Sequence, residues 1–228
     1  MSTQSTTPQT QDKGEVVYKA AGQEIKLSFS IVRNFLTNGG GNVTDADIVL
    51  FSQICRFNEL NPFLKEAYLI KYGDKPATMV VSKEALMKRA EASQFYDGIQ
   101  AGIIVKRGEE IIELEGCFCL QTDILLGGWA KVYRTDKKYP FVSKVNLIEY
   151  DLNQSSWNSK KSTMIRKVAE VQALREAFPH QLGAMYTAEE QGVRTMDVVA
   201  EDVTRQPITQ PESQPEPKKE HETKKYEL

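Results

Sequence analysis

The chain predicts an α+β fold in which antiparallel strands and hairpins pack with helices around one core. Three observations carry this. Two stretches near the start have apolar residues at three-to-four spacing behind a capping Ser or Thr. Strand-like runs then succeed one another with only short turn signals between them, as antiparallel neighbours do. A last helical stretch, KKSTMIRKVAEVQALREAFP, closes the pattern at Pro179.

In order, Ser28 is placed to cap a short helix to about Thr37, ended by Asn38 and Gly39–Gly41. Thr44 caps a second helix, TDADIVLFSQICRFNEL, with acids in its first turn and Ile48, Phe51, Cys55 and Leu50, Ile54 at three-to-four spacing. Asn61-Pro62-Phe63 stops it, because the residue before a proline avoids helix. AYLIKYGDKPATMVV predicts a hairpin turning at Gly73–Pro76. Ser82 caps the helix KEALMKRAEASQF. Four strands follow: GIQAGIIVKRG, EIIELEGCFCLQTD, GGWAKVYRTD and KYPFVSKVNL, with turns at Arg107–Gly108 and Asp136–Lys138. The final helix comes last. Residues 1–14 are poor in apolar side chains and predict a disordered arm. Residues 15–195 form the folded domain, and 196–228, rich in Pro, Gln, Glu and Lys, predict a disordered tail.

Composition removes several function classes. Three cysteines without paired spacing, Cys55, Cys117 and Cys119, predict reduced thiols and a cytoplasmic protein. Cys117 and Cys119 lie two apart in a strand-like run, so they share a face and read as packing; no second pair completes a zinc site. The start of the chain is not a signal peptide, and no apolar run reaches membrane-spanning length. Gly39–Gly41 lacks the Gly-Lys-Ser/Thr of a phosphate loop, so no ATP site is expected. Asp45 and Asp47 suit a helix N-terminus better than a two-metal nuclease centre. His180 and His221 have no nucleophile beside them in any familiar arrangement. A binding protein without cofactor or metal, rather than an enzyme, is the expectation.

The charge pattern suggests a polyanion partner for one region, the alternative being a lysine-rich solvated surface. The net charge is −2, yet Lys131–Arg175 holds ten basic residues against four acids, a local +6. Lys65, Lys71 and Lys75 lie beside Tyr68 and Tyr72, and Trp157 stands just ahead of Lys160 and Lys161. Cations for phosphates and flat rings near bases are what a single strand needs; Trp157 alternatively anchors the core. On a helical projection Met164, Val168, Val171, Leu174 and Phe178 form a stripe, and Arg166 falls opposite it. Lys160, Lys161, Lys167 and Arg175 instead project within or beside the stripe. An anion at the helix start would use Lys160 and Lys161 together with free N–H groups. A charge at Arg175 on the apolar side needs a partner, either a protein carboxylate or a phosphate. Glu170 and Glu176 project away from it.

Two blocks, LNPFLKEAYLIKYGDKPATMVVSKEALMKRAEASQFYDGI and WNSKKSTMIRKVAEVQALREAFPHQLGAMYTAEE, resemble in content and order the RecT/Bet family of phage single-strand annealing proteins, the lambda Red beta-like group. The resemblance covers roughly residues 25–192. It implies ATP-independent binding of single-stranded DNA and annealing of complementary strands in homologous recombination. It also implies a homo-oligomeric ring or helical filament, a positively charged groove gripping DNA backbones, and annealed duplex as product. A 5′-to-3′ exonuclease and a host single-strand-binding protein are the implied partners, in the cytoplasm of a bacterial host, with a phage or prophage as source. Lys65, Arg166, Lys167 and Arg175 fall on matching family positions, whereas Lys160 and Lys161 lie near the family's basic pair but out of register with it. A single-strand nucleic-acid chaperone without annealing activity, a metal-dependent nuclease and a self-assembling scaffold are the alternatives.

Overall fold

A computed structural model describes residues 14–154 and 156–192. The expected tail, and all of the expected arm except Gly14, lie outside these residues. The architecture is α+β. It contains a two-stranded hairpin, a three-stranded sheet and a four-stranded antiparallel sheet, with helices between them.

The first element is one that periodicity alone passes over. Strands β1 (Val16–Ala20) and β2 (Gln23–Leu27) pair with Ala20 opposite Gln23. Both turn residues, Ala21 and Gly22, have positive φ, 49° and 80°. That is the backbone a two-residue hairpin favours, but Ala is an unusual choice for it, so the turn is poorly marked. Tyr18, Ala20, Ile25 and Leu27 face the core, and the Tyr18 hydroxyl donates to Leu60 O at 2.6 Å.

The helix expected from Ser28 to Thr37 is shorter. Ser28 does cap α1 (Phe29–Ile31), but the chain widens into a π-turn (Val32–Leu36) and then extends as β3 (Thr37–Asn38). The competing principle is tertiary: β3 pairs in parallel with β4 (Ala67–Ile70), and Lys71 N–H donates to Asn38 O at 2.9 Å. Gly39 follows because a Cβ there would stand 2.4 Å from Lys71 O.

Helix α2 (Asp45–Phe57) opens with a complete capping box between Thr44 and Asp47. Asn61 caps a 3-10 turn (Pro62–Leu64), and Lys65 beyond it is left-handed, φ 60°. Strand β4 pairs with β5 (Thr78–Val81) in the expected hairpin, and Ser82 caps α3 (Lys83–Glu91).

The four-stranded sheet runs β7-β6-β8-β9, from β6 (Tyr96–Arg107), β7 (Glu110–Glu115), β8 (Ile124–Arg134) and β9 (Phe141–Asn146). Cys117 and Cys119 are not in a strand: β7 stops at Glu115 and Gly116 turns with φ 78°. Short helices α4 (Leu147–Tyr150) and α5 (Ser156–Ser159) lead into α6 (Lys161–Ala177), and α7 (Pro179–Leu182) follows. α6 touches β6, β8 and β9 as well as α3 and α7. It therefore buries more than the expected stripe: Ile165, Ala169 and Ala173 add a second apolar row. Contact with β8 is close. A Cβ on Gly128 would lie 2.5 Å from Ile165 O.

Candidate nucleic-acid interface

The predicted cations stand in two chemical situations. Lys65, on the left-handed residue after the 3-10 turn, Lys75, in the β4–β5 turn, and Lys160, at the start of α6, are exposed. Among the described residues none of the three is in a salt bridge with a carboxylate. Lys160 is the N-cap of α6 without a side-chain cap bond, so the first N–H groups of a seventeen-residue helix open beside it.

The others already hold carboxylates. Lys71 lies 3.4 Å from Asp47. The Thr44 N–H, with Lys71 behind it, keeps the Asp47 carboxyl below the usual carboxylate range against the opposing pull of burial. Asp45 pairs with Arg33 at 2.6 Å, so both acids of the α2 terminus are engaged in capping and pairing. Lys161 pairs with Asp151. Glu170, itself buried, is shared by Arg166 at 3.4 Å and by Lys83 of α3. Lys167 donates to Glu189 at 2.8 Å. Arg175 makes a two-pronged contact with Glu190, one arm at 2.6 Å.

Arg175 therefore finds its partner in a protein carboxylate. Glu190 lies fifteen residues on and Glu189 twenty-two residues from Lys167, so no inspection of α6 alone could find them. The available signal was two consecutive acids just after a helix carrying misplaced cations. Trp157 is 3 % exposed and belongs to the main core, so in this conformation its ring is closed to a base. Rings that do meet cations lie elsewhere: Lys131 over Trp129 at 5.2 Å, Lys138 over exposed Tyr139 at 5.4 Å, and Arg175 over Tyr186 at 4.6 Å. Lys137 and Lys138 form an exposed basic turn between β8 and β9.

The pattern is a set of exposed lysines together with α6 cations that carboxylates already hold, Lys167 and Arg175 on its apolar side and Arg166 on the opposite side. Exposed lysines attract a polyanion, and a paired cation becomes a further site once its acid gives way. No group of metal ligands is assembled among the described residues. Likewise no helix among them is long and apolar enough to cross a membrane.

Residues 22–205 match the RecT family, and this span takes in every element from β2 to α7. The chain belongs to the RecT family. Membership carries the expectation of single-strand annealing in recombination. A relative with 27 % identity over 155 residues is an uncharacterised protein, UU154, of Ureaplasma parvum serovar 3. The aligned stretch covers 64 % of this chain and 61 % of that relative. In this RecT-family chain the two blocks that carry the sequence resemblance meet in space. The β4–β5 hairpin of the first is tied to the segment after α7 of the second, by Val81 N–H donating to Tyr186 O at 2.9 Å.

Proposed function

We propose that this RecT-family protein binds single-stranded DNA without ATP and anneals complementary strands in homologous recombination. The observation that carries this is the family match across 22–205. The exposed lysines at both blocks support it. In this proposal Lys65, Lys75 and Lys160 meet phosphates first, with Lys71, Lys161, Arg166, Lys167 and Arg175 along the same groove. Trp157 acts from the core by holding the approach to α6. Contacts to the backbone hold the first strand without regard to sequence, because phosphates carry no base identity. The bases are thereby left to pair with an incoming strand, and the annealed duplex is the bound product. The protein works as an oligomeric ring or filament in the cytoplasm of a bacterial host, as a phage or prophage product. A 5′-to-3′ exonuclease supplies its substrate, and a host single-strand-binding protein occupies the same strands.

The test mixes two complementary oligonucleotides, one labelled, with and without protein and without nucleotide. Duplex formation is expected to accelerate, and single-strand affinity to fall steeply with salt, at a log–log slope of about −0.7 per phosphate contacted. Salt-sensitive binding with no acceleration leaves a chaperone without annealing activity. Strand cleavage on adding Mg²⁺ points to a nuclease.

A further inference from the structure

Residues 185–190 form a strap against two α6 cations, Lys167 and Arg175. Its backbone is fixed at β5 by the Val81–Tyr186 hydrogen bond, and Ala188 packs with Ile70 and Val80. Arg175 donates to Met185 O at 3.3 Å as well as to Glu190. Glu190 also accepts the Thr187 N–H at 3.0 Å. The strap thus delivers two consecutive carboxylates to two cations eight residues apart, which is about 12 Å along a helix.

These carboxylates resemble the ligand expected at the same cations. A phosphodiester, like a carboxylate, carries one negative charge, and it offers two oxygens to a guanidinium fork. One Glu189 oxygen is buried and accepts no hydrogen bond among the described residues, while the Lys167 side chain keeps 28 % of its exposure. Glu189, itself 6 % exposed at the side chain, is therefore held by one oxygen, and the pair is open to solute only from its Lys167 end. For a buried ion pair the Coulomb gain and the desolvation cost nearly cancel. Exchanging one anion for another then changes little, whereas removing the anion without replacement is costly.

We propose that Glu189 and Glu190 are internal competitors for the phosphates of single-stranded DNA, occupying Lys167 and Arg175 in the free protein and giving them up when a strand binds. This rests on the DNA-binding function proposed above and adds its control. A strand must first engage the exposed lysines before it displaces the acids. A short oligonucleotide, which cannot span both sets, gains no contact with Lys167 or Arg175.

The experiment uses the full chain and a fluorescent oligo-dT in an anisotropy titration, comparing wild type with the Glu189→Gln/Glu190→Gln variant. The variant is expected to bind about tenfold tighter, within the usual range of coupling between two sites. A folded variant that binds no tighter, or more weakly, overturns the proposal. A second measurement needs no variant. In wild type, saturating oligo-dT is expected to speed hydrogen exchange at the Thr187 amide, because its acceptor is the Glu190 carboxylate. Unchanged or slower exchange there overturns the proposal. If neither protein binds oligo-dT, the DNA-binding function itself fails and the strap proposal with it. If wild type binds and the variant binds no tighter, only the strap proposal falls.

Discussion

Arg175 and Glu190 are 14 % and 5 % exposed at the side chain, so neither charge is left to water. Truncating Arg175 would strand a buried carboxylate, and Arg175→Ala is expected to cost about 3–5 kcal/mol in a urea unfolding experiment. Adding Glu190→Ala should recover much of that loss, and the double-mutant cycle isolates the pair. Additive losses would mean the two do not act together. The same local logic governs Cys55. Burial pushes its thiol up to about 12. Cys117 and Cys119 are partly exposed. A thiol-reactive dye at mild alkaline pH is expected to label those two in the native protein and Cys55 only after denaturation. Fast native labelling of Cys55 would contradict its burial.

Among the elements, α6 carries most of the proposed site, and Gly128 lets it lie close to β8. Because the Ile165 carbonyl occupies the space a Cβ would need, Gly128→Ala forces helix and strand apart. The expected cost is about 1–3 kcal/mol, the usual range for overpacking, read as a lower thermal midpoint. An unchanged midpoint would show that α6 shifts freely. Helix α6 was legible as far as its length and stop, because apolar spacing and a proline stop act within one or two turns. Its burial was only half legible. The row through Ile165, Ala169 and Ala173 is built from residues whose burial depends on what packs there. The short helix at Ser28 failed in a related way: the parallel partner of β3 lies some thirty residues away, and no local signal announces it.

Across the whole molecule, apolar surface is distributed unevenly. On α2, Leu50 and Phe57 are exposed and seven residues apart, so they share a face, while Ile48, Phe51 and Cys55 bury the opposite one. An apolar face of this kind suits contact with another copy in the proposed ring or filament. Leu50→Glu combined with Phe57→Glu is expected to lower the mass seen by light scattering while leaving the thermal midpoint in place. Unchanged assembly would move the contact elsewhere. The sequence alone determined the α+β class, the capped helices α2 and α3, the β4–β5 hairpin, the order of the four-stranded sheet's strands along the chain, and the local excess of cations from which the polyanion site is proposed. Each of these depends on residue spacing or on charge count, which fold down to neighbours within a few positions. Only the tertiary structure decided which cations stay exposed and which are neutralised. That turns on where the chain after α7 returns: it sets Glu189 and Glu190 against Lys167 and Arg175, a meeting that Coulomb attraction rewards only once packing has brought the charges together.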